Sequence, residues 1–302
     1  MCGIIGYVGH QQAAPILLDG LARMEYRGYD SAGVAVRSET KGLQVYKSKG
    51  RLQVLSDMIH GGADVEGTLG IGHTRWATHG EPNDINAHPH VSEDGRIAMV
   101  HNGIIENYME IKQQLLRHGV TFKSETDTEV AAQLLEFHYN ECHNMLEAVG
   151  RVLRRIEGSY AFGIICADYP NALIAARKDS PMVIGIADGE SYLASDVPAI
   201  LKYTRNVYYI GNLELARLQK GKVTFFNLDG DEIQKDLVEI TWNAEAAEKA
   251  GFEHFMMKEI HEQPKAVRDT LNSILHDGVI DLQTMGLTEE EMRDTQQIYM
   301  IG

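Results

Sequence analysis

Short runs of apolar and small residues, each bounded by glycine, recur through the first hundred positions and predict β-strands separated by turns. Strands are predicted at residues 2–8, 31–37, 43–47, 68–73 and 96–101. The apolar residues within 14–23 recur at helical spacing instead, which predicts one helix between the first two strands. Asn102-Gly103 follows the last of these strands, and this dipeptide favours a turn.

Helical patterns fill the next sixty residues, at 108–117, from Thr126 onward and over 146–156. Thr126 and Glu129 form a capping box, which is the sequence signature of a helix N-terminus. Strands return at 160–167, 172–176, 182–186 and 207–210, and residues 222–233 predict a closing hairpin. Two groups of strands with helices between and after them predict an α+β domain, in which two sheets stack with helices outside.

The pattern changes near residue 241, where a polar, alanine-rich stretch at 243–249 predicts a linker or an exposed helix. A further helix is predicted over 265–276 with Pro264 just before it, and Thr288 with Glu291 forms a second capping box. Residues 298–302 read as a fully buried strand of a parallel sheet, and such a strand would leave an unprotected edge. We therefore expect one domain at 1–240 and the truncated start of a second domain at 241–302.

Composition narrows the classes of protein that fit these elements. The chain has 302 residues, 44% of them hydrophobic, and a formal charge of −15, which disfavours nucleic acid and anionic membrane surfaces as partners. Its three cysteines are too few and too scattered for a disulfide framework. The chain begins with no secretory signal, and no apolar run reaches about 18 residues. We expect a cytoplasmic protein that does not contact membranes.

Cys2 is the first candidate for chemistry, because the small side chain after Met1 is the usual condition for removal of an initiator methionine. Removal would put a thiol and a free α-amine on one residue. An α-amine has a pKa of about 7.7–8.0, so it can accept a proton from its own side chain near neutrality. The alternative is a buried cysteine that only begins a strand.

Three further segments place polar groups at strand ends or helix starts, where functional groups are usually presented. Arg75 follows an apolar strand and can grip a carboxylate with two hydrogen bonds, unless it is a surface arginine. Asp127 lies in the first turn of a helix, where the helix dipole alone already favours a carboxylate. Asn102-Gly103 is either a simple turn or a pair of donors aimed at one point, as an oxyanion hole requires.

Histidine is unusually dense in this part of the chain, at positions 73, 79, 88, 90 and 101. A zinc site is the alternative that such density raises, since histidine is the commonest metal ligand. The spacings match no pair of histidines on one helix, and acidic partners are sparse between them, so we predict no metal. No glycine-rich phosphate loop stands between a strand and a helix, and we predict no cofactor.

Taken together and in this order, six segments resemble the class II glutamine amidotransferases. They are residues 2–6 (CGIIG), 26–33 (YRGYDSAG), 72–80 (GHTRWATHG), 86–90 (NAHPH), 101–107 (HNGIIEN) and 124–129 (SETDTE). Within this family the segments most resemble the members that aminate fructose 6-phosphate. Residues 255–264 resemble the entry to the isomerase half of those members. It implies the four-layer αββα sandwich of the N-terminal nucleophile hydrolases, followed by the start of an α/β sugar-isomerase domain.

The resemblance implies a catalytic group around Cys2. Cys2 would attack the side-chain amide of L-glutamine while its own α-amine moves the proton. Asn102 Nδ2 and the Gly103 N–H would hold the oxyanion, and the Gly103 carbonyl would help to hold the substrate's α-ammonium. Arg27 would steady the Cys2 terminus.

It also implies a set of residues that recognise the substrate. Arg75 would bind the α-carboxylate of glutamine with help from Thr78 and His79. Asp127 would hold the α-ammonium. Trp76 would belong to a loop that closes over the substrate.

The activity implied is hydrolysis of glutamine to glutamate and ammonia, with the ammonia passed to fructose 6-phosphate in a longer, homodimeric parent. A glutaminase that feeds another acceptor is the alternative within enzymes. A silent amino-acid-binding or oligomerisation module is the alternative outside them, and it applies if Met1 is retained.

Overall fold

Antiparallel strands form two large sheets in the first of the two units into which the chain divides, Met1–Ala244 and Glu245–Gly302. The computed structural model describes residues 2–241, 251–252, 254–276, 279–280, 286, 288–297 and 299. The strands of the first unit are, in chain order, β1 (Gly3–Val8), β2 (Ser31–Ser38), β3 (Gly42–Lys49), β4 (Leu69–Arg75), β5 (His90–Val91), β6 (Ile97–Ile105), β7 (Gly158–Cys166), β8 (Leu173–Lys178), β9 (Val183–Ala187), β10 (Glu190–Ala194), β11 (Asn206–Tyr209), β12 (Glu214–Gln219), β13 (Lys222–Phe226), β14 (Glu232–Ile233) and β15 (Val238–Glu239). Its helices are α1 (Ala13–Ala22), α2 (Leu52–Met58), α3 (Tyr108–Arg117), α4 (Asp127–Cys142) and α5 (Met145–Arg155).

The two sheets differ in strand number and in the elements that cover them. The eight-stranded sheet has the order β15-β11-β9-β10-β1-β4-β2-β3, and the seven-stranded sheet has the order β14-β13-β12-β8-β7-β6-β5. One buried cluster joins the first sheet to α1 and α2, and another joins the second sheet to α3, α4 and α5. A third cluster contains strand residues from both sheets. The layers therefore run helix, sheet, sheet, helix, which confirms the predicted αββα sandwich.

Alternation of side chains along three strands decides which residues enter the layer between the sheets. On β1, Ile4 packs between the sheets whereas Ile5 packs against the helices. Cys2 has the same parity as Ile4. Ile71 of β4 and Val100 of β6 also lie between the sheets. His73 and Arg75 are on the same side of β4 as Ile71, and Asn102 is on the same side of β6 as Val100. The polar ends of β1 and β4, which are neighbours in one sheet, therefore face the polar end of β6 across the gap.

Most predicted elements of the first unit are confirmed within a few residues, and one prediction is wrong. Asn102-Gly103 does not form a turn, because β6 continues through both residues to Ile105. Asn102 pairs with Ala161 and Gly103 with Tyr160 of β7. A neighbouring strand that is distant in sequence thus overrides the local preference of the dipeptide. Strands β5, β10, β12 and β15 were not predicted.

The second unit has two helices, α6 (Phe255–Ile274) and α7 (Glu289–Asp294), and a two-stranded sheet of β16 (Leu275–His276) and β17 (Val279–Ile280), among the residues described there. Pro264 lies inside α6 rather than before it, so that prediction is wrong. The good helix formers that precede Pro264 extend the helix in the N-terminal direction. The capping box of Thr288 and Glu291 is confirmed at the start of α7.

Two predictions for the C-terminal region fall on residues of which little is described. The predicted linker at 243–249 lies outside the described residues. Of the predicted buried strand at 298–302, only Tyr299 is described, and this residue is in no helix or strand and is 79% exposed. No helix in the described ranges has the length and apolar composition needed to cross a bilayer.

Candidate active site

A cleft of about 470 Å³ opens where the polar ends of β1, β4 and β6 meet. It brings together every site residue that the sequence predicted, and these are Cys2, Arg27, Arg75, Trp76, Thr78, His79, Asn102, Gly103 and Asp127. They come from strand ends, loops and one helix start spread over 126 positions of sequence, from Cys2 to Asp127. Their roles in chemistry stay predictions, but their convergence on one cavity is a property of the fold.

Cys2 stands immediately before β1, and its thiol is held by the main chain of the neighbouring strand end. The Trp76 N–H donates to Cys2 Sγ at 3.1 Å, and Sγ lies 3.5 Å from the Trp76 carbonyl oxygen. Burial raises the pKa of the Cys2 thiol above its ordinary value. The side chain is therefore a neutral thiol near pH 7, and it must lose its proton to a base before it can act as a nucleophile.

Asn102 projects from β6 toward Cys2 across the gap between the sheets. Its Nδ2 donates to the Cys2 carbonyl oxygen at 3.2 Å. Its Oδ1 lies 2.9 Å from Nε2 of His73, which is on β4. The amide thus has a partner at each end, and its nitrogen is the end that faces the residue with the thiol.

Gly103 follows in β6 with a positive φ of 134°. A Cβ at this position would lie 2.1 Å from the Ser159 carbonyl oxygen, so only glycine fits. The close approach of β7 explains why a glycine stands at this position of the strand. Ser159 itself lines the cleft.

Arg75 ends β4 with its side chain 5% exposed, and its guanidinium reaches into the loop that follows. It donates to the carbonyl oxygen of Gly80 at 3.1 Å, to that of Glu81 at 3.4 Å and to that of His79. Asp30 lies 3.8 Å from the guanidinium and accepts a hydrogen bond from the Ala77 N–H. The arginine and Asp30 therefore fix both the start and the end of residues 76–81.

The loop formed by residues 76–81 presents the most exposed groups of the cleft. Trp76 is 55% exposed, and its ring packs on Gly28, where a Cβ would lie 2.3 Å from the ring. His79 Nδ1 lies 3.2 Å from Thr78 Oγ1, and its ring meets Tyr108 edge-on at 5.3 Å. These side chains form the rim of the cleft rather than its floor.

Asp127 is the first residue of α4 and is 4% exposed. Its Oδ2 accepts a hydrogen bond from the Ile105 N–H at 2.9 Å and lies 3.9 Å from His101 Nδ1. His101 Nδ1 is also 3.0 Å from Thr128 Oγ1, and burial lowers the pKa of this imidazole. Burial thus disfavours the protonated form of His101, so this imidazole does not provide a cationic partner for Asp127.

Arg27 and the histidine cluster complete the site. Arg27 lies 3.5 Å from Asp196 and lines the cleft with its side chain 8% exposed. The rings of His73 and His88 are 4.2 Å apart, and those of His88 and His90 are 4.9 Å apart. Burial lowers the pKa of all three imidazoles. Among the described residues, no group of three or more His, Cys, Asp or Glu side chains is arranged to hold a metal ion.

Sequence reasoning assigned no role to Asn86, which ties two parts of the cleft together. Asn86 is 2% exposed, and its Nδ2 donates to the Glu81 carbonyl oxygen at 3.0 Å and to Glu125 Oε2 at 3.3 Å. Its Oδ1 accepts a hydrogen bond from the Glu125 N–H at 3.0 Å. The loop that Arg75 holds is thereby connected to the segment before Asp127. The only sequence signal was an asparagine within one of the six resembling segments.

Four more cleft residues were not named as site residues, and only Ile104 lies in a resembling segment. Ile104 and Ser159 reach the cleft from the paired strands β6 and β7, and Ser180 and Pro181 reach it from the turn before β9. Pairing of Tyr160 with Asp179 brings that turn close to the start of β7. Only the folded topology makes these segments neighbours.

The chain is similar to known proteins in its domain family and in its whole sequence. Residues 42–224, more than half of the chain, match the glutamine amidotransferase domain family. The chain is 53% identical over 303 residues to glutamine–fructose-6-phosphate aminotransferase (isomerizing) of Caldanaerobacter subterraneus subsp. tengcongensis, and 50% identical over 304 residues to the enzyme of that name from Thermus thermophilus. Each alignment covers 100% of this chain and 49% of the relative, so the chain spans about half the length of these curated relatives.

Two solved structures with a similar fold differ in how similar their sequences are to that of this chain. Glutamine phosphoribosylpyrophosphate amidotransferase from B. subtilis, in complex with ADP and GMP, superimposes with a TM-score of 0.64 at 26% identity, over 76% of this chain and 50% of that one. A glutamine aminotransferase class-II domain protein from Silicibacter pomeroyi superimposes with a TM-score of 0.53 at 16% identity, over 75% of this chain and 99% of that one. The second likeness concerns the fold alone.

Proposed function

The chain belongs to the glutamine amidotransferase family, and from that membership we propose that its first unit hydrolyses L-glutamine to glutamate and ammonia with Cys2 as the nucleophile. The observation that carries the proposal is the convergence on one cleft of a thiol, an amide donor, an arginine and a buried aspartate. Glutamine has an amide to be attacked and two opposite charges on its α-carbon. The cleft offers one group for each of these features.

The first half of the reaction forms a thioester. Removal of Met1 frees the α-amine of Cys2, which takes the thiol proton as Sγ attacks the side-chain carbonyl carbon of glutamine. The carbonyl oxygen becomes an oxyanion that accepts hydrogen bonds from Asn102 Nδ2 and the Gly103 N–H. The tetrahedral intermediate then collapses, the C–N bond breaks, and the protonated α-amine returns its proton to the leaving nitrogen. Ammonia departs and the γ-acyl group stays on Sγ.

The second half repeats these steps with water as the nucleophile. The α-amine accepts a proton from water as the oxygen attacks the thioester, and the same two donors hold the second oxyanion. The C–S bond breaks and glutamate leaves, with the thiol proton restored. A loop that carries the exposed Trp76 ring delays this step by keeping water from the thioester while ammonia leaves.

Recognition of the α-carbon uses the two charged groups of the cleft. Arg75 binds the α-carboxylate, with Thr78 and His79 beside it on the rim. Asp127 and the Gly103 carbonyl hold the α-ammonium, and Arg27 steadies the terminus at Cys2. An amide that lacks both charges offers no opposite charge to Arg75 or to Asp127, which makes it a poor substrate.

A direct test measures ammonia and glutamate released from glutamine by the purified chain, together with its intact mass. Equal amounts of both products from protein that lacks Met1 support the proposal. Protein without Met1 that binds glutamine and releases no ammonia supports a silent amino-acid-binding module instead.

We further propose that the chain supplies ammonia for amination of fructose 6-phosphate in a longer parent. The names of the curated relatives support this, and so does the fact that the chain spans about half of their length. On this proposal residues 1–240 are the glutaminase domain, and residues 241–302 begin an α/β sugar-isomerase domain. The fragment then hydrolyses glutamine without making amino sugar.

The parent protein decides between acceptors. Parent incubated with glutamine and fructose 6-phosphate should form glucosamine 6-phosphate in step with glutamate. Glutamate without amino sugar indicates another acceptor. Amino sugar made by the 302-residue chain alone contradicts the division at residue 240.

Location and assembly belong to the same proposal. Three free cysteines agree with a reducing cytoplasm. The charge of −15 argues against nucleic acid and anionic membranes as partners. We propose a homodimer for the full-length parent, which sedimentation analysis at several protein concentrations tests directly.

A further inference from the structure

We propose that His73 is a positioning residue that fixes the side-chain amide of Asn102 with its nitrogen toward Cys2. The inference rests on the proposed function, because that nitrogen is the oxyanion donor there. The hydrogen bond between His73 and Asn102 joins the two sheets at the floor of the cleft.

The partners of the His73 ring determine where its proton lies. Nε2 is 2.9 Å from Oδ1 of Asn102 and 3.0 Å from the His101 carbonyl oxygen. A carbonyl oxygen has no proton to give, so Nε2 must be the N–H donor of the neutral ring. Nδ1 is then unprotonated, and it has no hydrogen-bond partner among the described residues.

Burial keeps the ring in this neutral form. His73 is 0% exposed, its ring lies 4.2 Å from that of His88, and burial lowers its pKa to about 3. The N–H on Nε2 is therefore present at every pH at which the site is expected to work.

A single proton on His73 decides which way the Asn102 amide faces. With Nε2–H as donor, Oδ1 is the end of the amide that fits, and Nδ2 points to the Cys2 carbonyl oxygen at 3.2 Å. A flipped amide would set two donors against each other at His73 and two acceptors against each other at Cys2. Both mismatches are buried or half-buried, so the flipped state is disfavoured at both ends.

The strand pairing around His73 shows which parts of the fold this hydrogen bond connects. His73 is paired with Ile4 of β1, two residues from Cys2, whereas Asn102 belongs to β6 of the other sheet. The hydrogen bond therefore ties the proposed oxyanion donor to β4, which pairs with the strand that follows the nucleophile. This hydrogen bond resists sliding of one sheet past the other close to Cys2. A shift there would displace the oxyanion donor from the position in which it is needed.

Two substitutions of similar size separate the donor from the volume of the ring. In His73→Gln, the amide nitrogen can replace Nε2–H as donor to Oδ1, and in His73→Met no donor remains. We expect His73→Met to lower kcat for glutamine by about 10- to 100-fold, approaching the loss of one oxyanion donor. We expect His73→Gln to stay within about threefold of the unsubstituted chain, and KM to change little in either variant.

Two further measurements separate positioning from a structural role. Alkylation of Cys2 by iodoacetamide displaces iodide and forms no oxyanion, so its rate should be unchanged in both variants. The ¹⁵N–¹H signals of the Asn102 side-chain amide should shift in His73→Met and stay near their original positions in His73→Gln. Normal kcat in His73→Met overturns the inference, as does equal loss in both variants with slowed alkylation.

The two proposals fail in different ways. An unsubstituted chain that lacks Met1, is alkylated at Cys2 and releases no ammonia contradicts the proposed function. The Asn102 side-chain signals still decide the inference in that case. Signals that are identical in the chain and both variants overturn it.

Discussion

The two walls of the cleft are held in different ways. We define the nucleophile wall as Cys2, Arg75 and Trp76, from the eight-stranded sheet and the loop after it, and the amide wall as Asn102 and Asp127. Contacts of the nucleophile wall go mostly to main-chain atoms of residues 76–81, and Trp76 is 55% exposed. The amide wall rests on strand pairing and on buried side chains, with Asp127 4% exposed.

The difference matches the work that each wall is expected to do. Donors to an oxyanion must be in place before the charge develops, which requires a rigid setting. A substrate must enter and leave past the other wall, which requires a loop that can move. The predictions below test this contrast, beginning with the largest expected effect.

Cys2→Ala should lower glutamine hydrolysis by at least about 10⁴-fold, since no nucleophile remains. The melting temperature should change little, because the hydrogen bonds of the thiol to described residues go only to the main chain of Trp76. Cys142→Ser is the matched control and should keep full activity. A glutamine-analogue electrophile should label Cys2 alone, and stoichiometric labelling of Cys142 or Cys166 with Cys2 untouched would contradict the assignment.

A residue left in front of Cys2 should silence the enzyme to nearly the same extent. Retained Met1, or a tag not cleaved flush with Cys2, turns the α-amine into an amide, which accepts no proton near pH 7. Intact mass and ammonia release, measured on the same sample, check this prediction. Full activity from protein with Met1 in place would show that another base serves the thiol.

Arg75→Lys and Asp127→Asn should each raise KM for glutamine and cost about 2–4 kcal/mol in kcat/KM. A lysine cannot reproduce the two-point grip of a guanidinium, and an asparagine has no charge for the α-ammonium. Glutaramate, which lacks the α-amino group, sharpens the test. Asp127→Asn should lose most of its preference for glutamine over glutaramate, whereas Arg75→Lys should keep that preference.

The buried histidines near the amide wall should make stability depend on pH. Burial lowers the pKa of His73 to about 3 and also lowers those of His88, His90 and His101, whereas unfolded histidine titrates near 6.5. Their contribution is fully present above about pH 6.5 and is lost as pH falls below it, because the unfolded chain then binds more protons. Each ring should contribute up to about 1.4 kcal/mol per pH unit to that loss.

Urea titrations above and below about pH 6.5 measure this slope. His88→Gln should flatten it. His60→Gln is the control and should not, since Asp64 raises the pKa of that exposed imidazole. A slope unchanged in His88→Gln would show that this histidine is not neutral in the folded chain.

Trp76→Ala should have the smallest effect, lowering kcat/KM about fivefold with almost no change in melting temperature. The ring is 55% exposed and packs on Gly28, so its removal opens the rim without emptying a core position. Single-turnover measurements should show faster hydrolysis of the thioester. A large loss of stability would show that Trp76 is held as firmly as the residues of the amide wall.

Much of the fold could be predicted because apolar periodicity is local. Strand β1 was predicted from the short apolar run at residues 2–8 and is observed at Gly3–Val8. Strand β10 was missed because it begins with a charged residue, Glu190. Its carboxylate is buried and accepts hydrogen bonds from Tyr7 and Tyr192. The bond from Tyr7 spans 183 positions, so no local pattern reveals it.

The residues that line the cleft could be predicted, although their roles stay predictions, but the contacts that arrange them could not. The residue types of Arg75 and Asn102, together with the resembling segments, indicated their roles. The bond from His73 to Asn102 depends on the register of two sheets, and the role of Asn86 depends on a loop conformation. Neither leaves a trace in residue spacing.

Strand β1 has a consequence for hydrogen exchange. Chain ends usually fray and exchange their amide protons first. Here β1 lies between β10 and β4, Ile4 is 0% exposed, and its N–H donates to Ser195 Oγ at 3.0 Å while its carbonyl accepts from the Ser195 N–H. The amides of Ile4 and Ile5 should therefore be among the slowest to exchange in the first unit, although they lie within five positions of Met1.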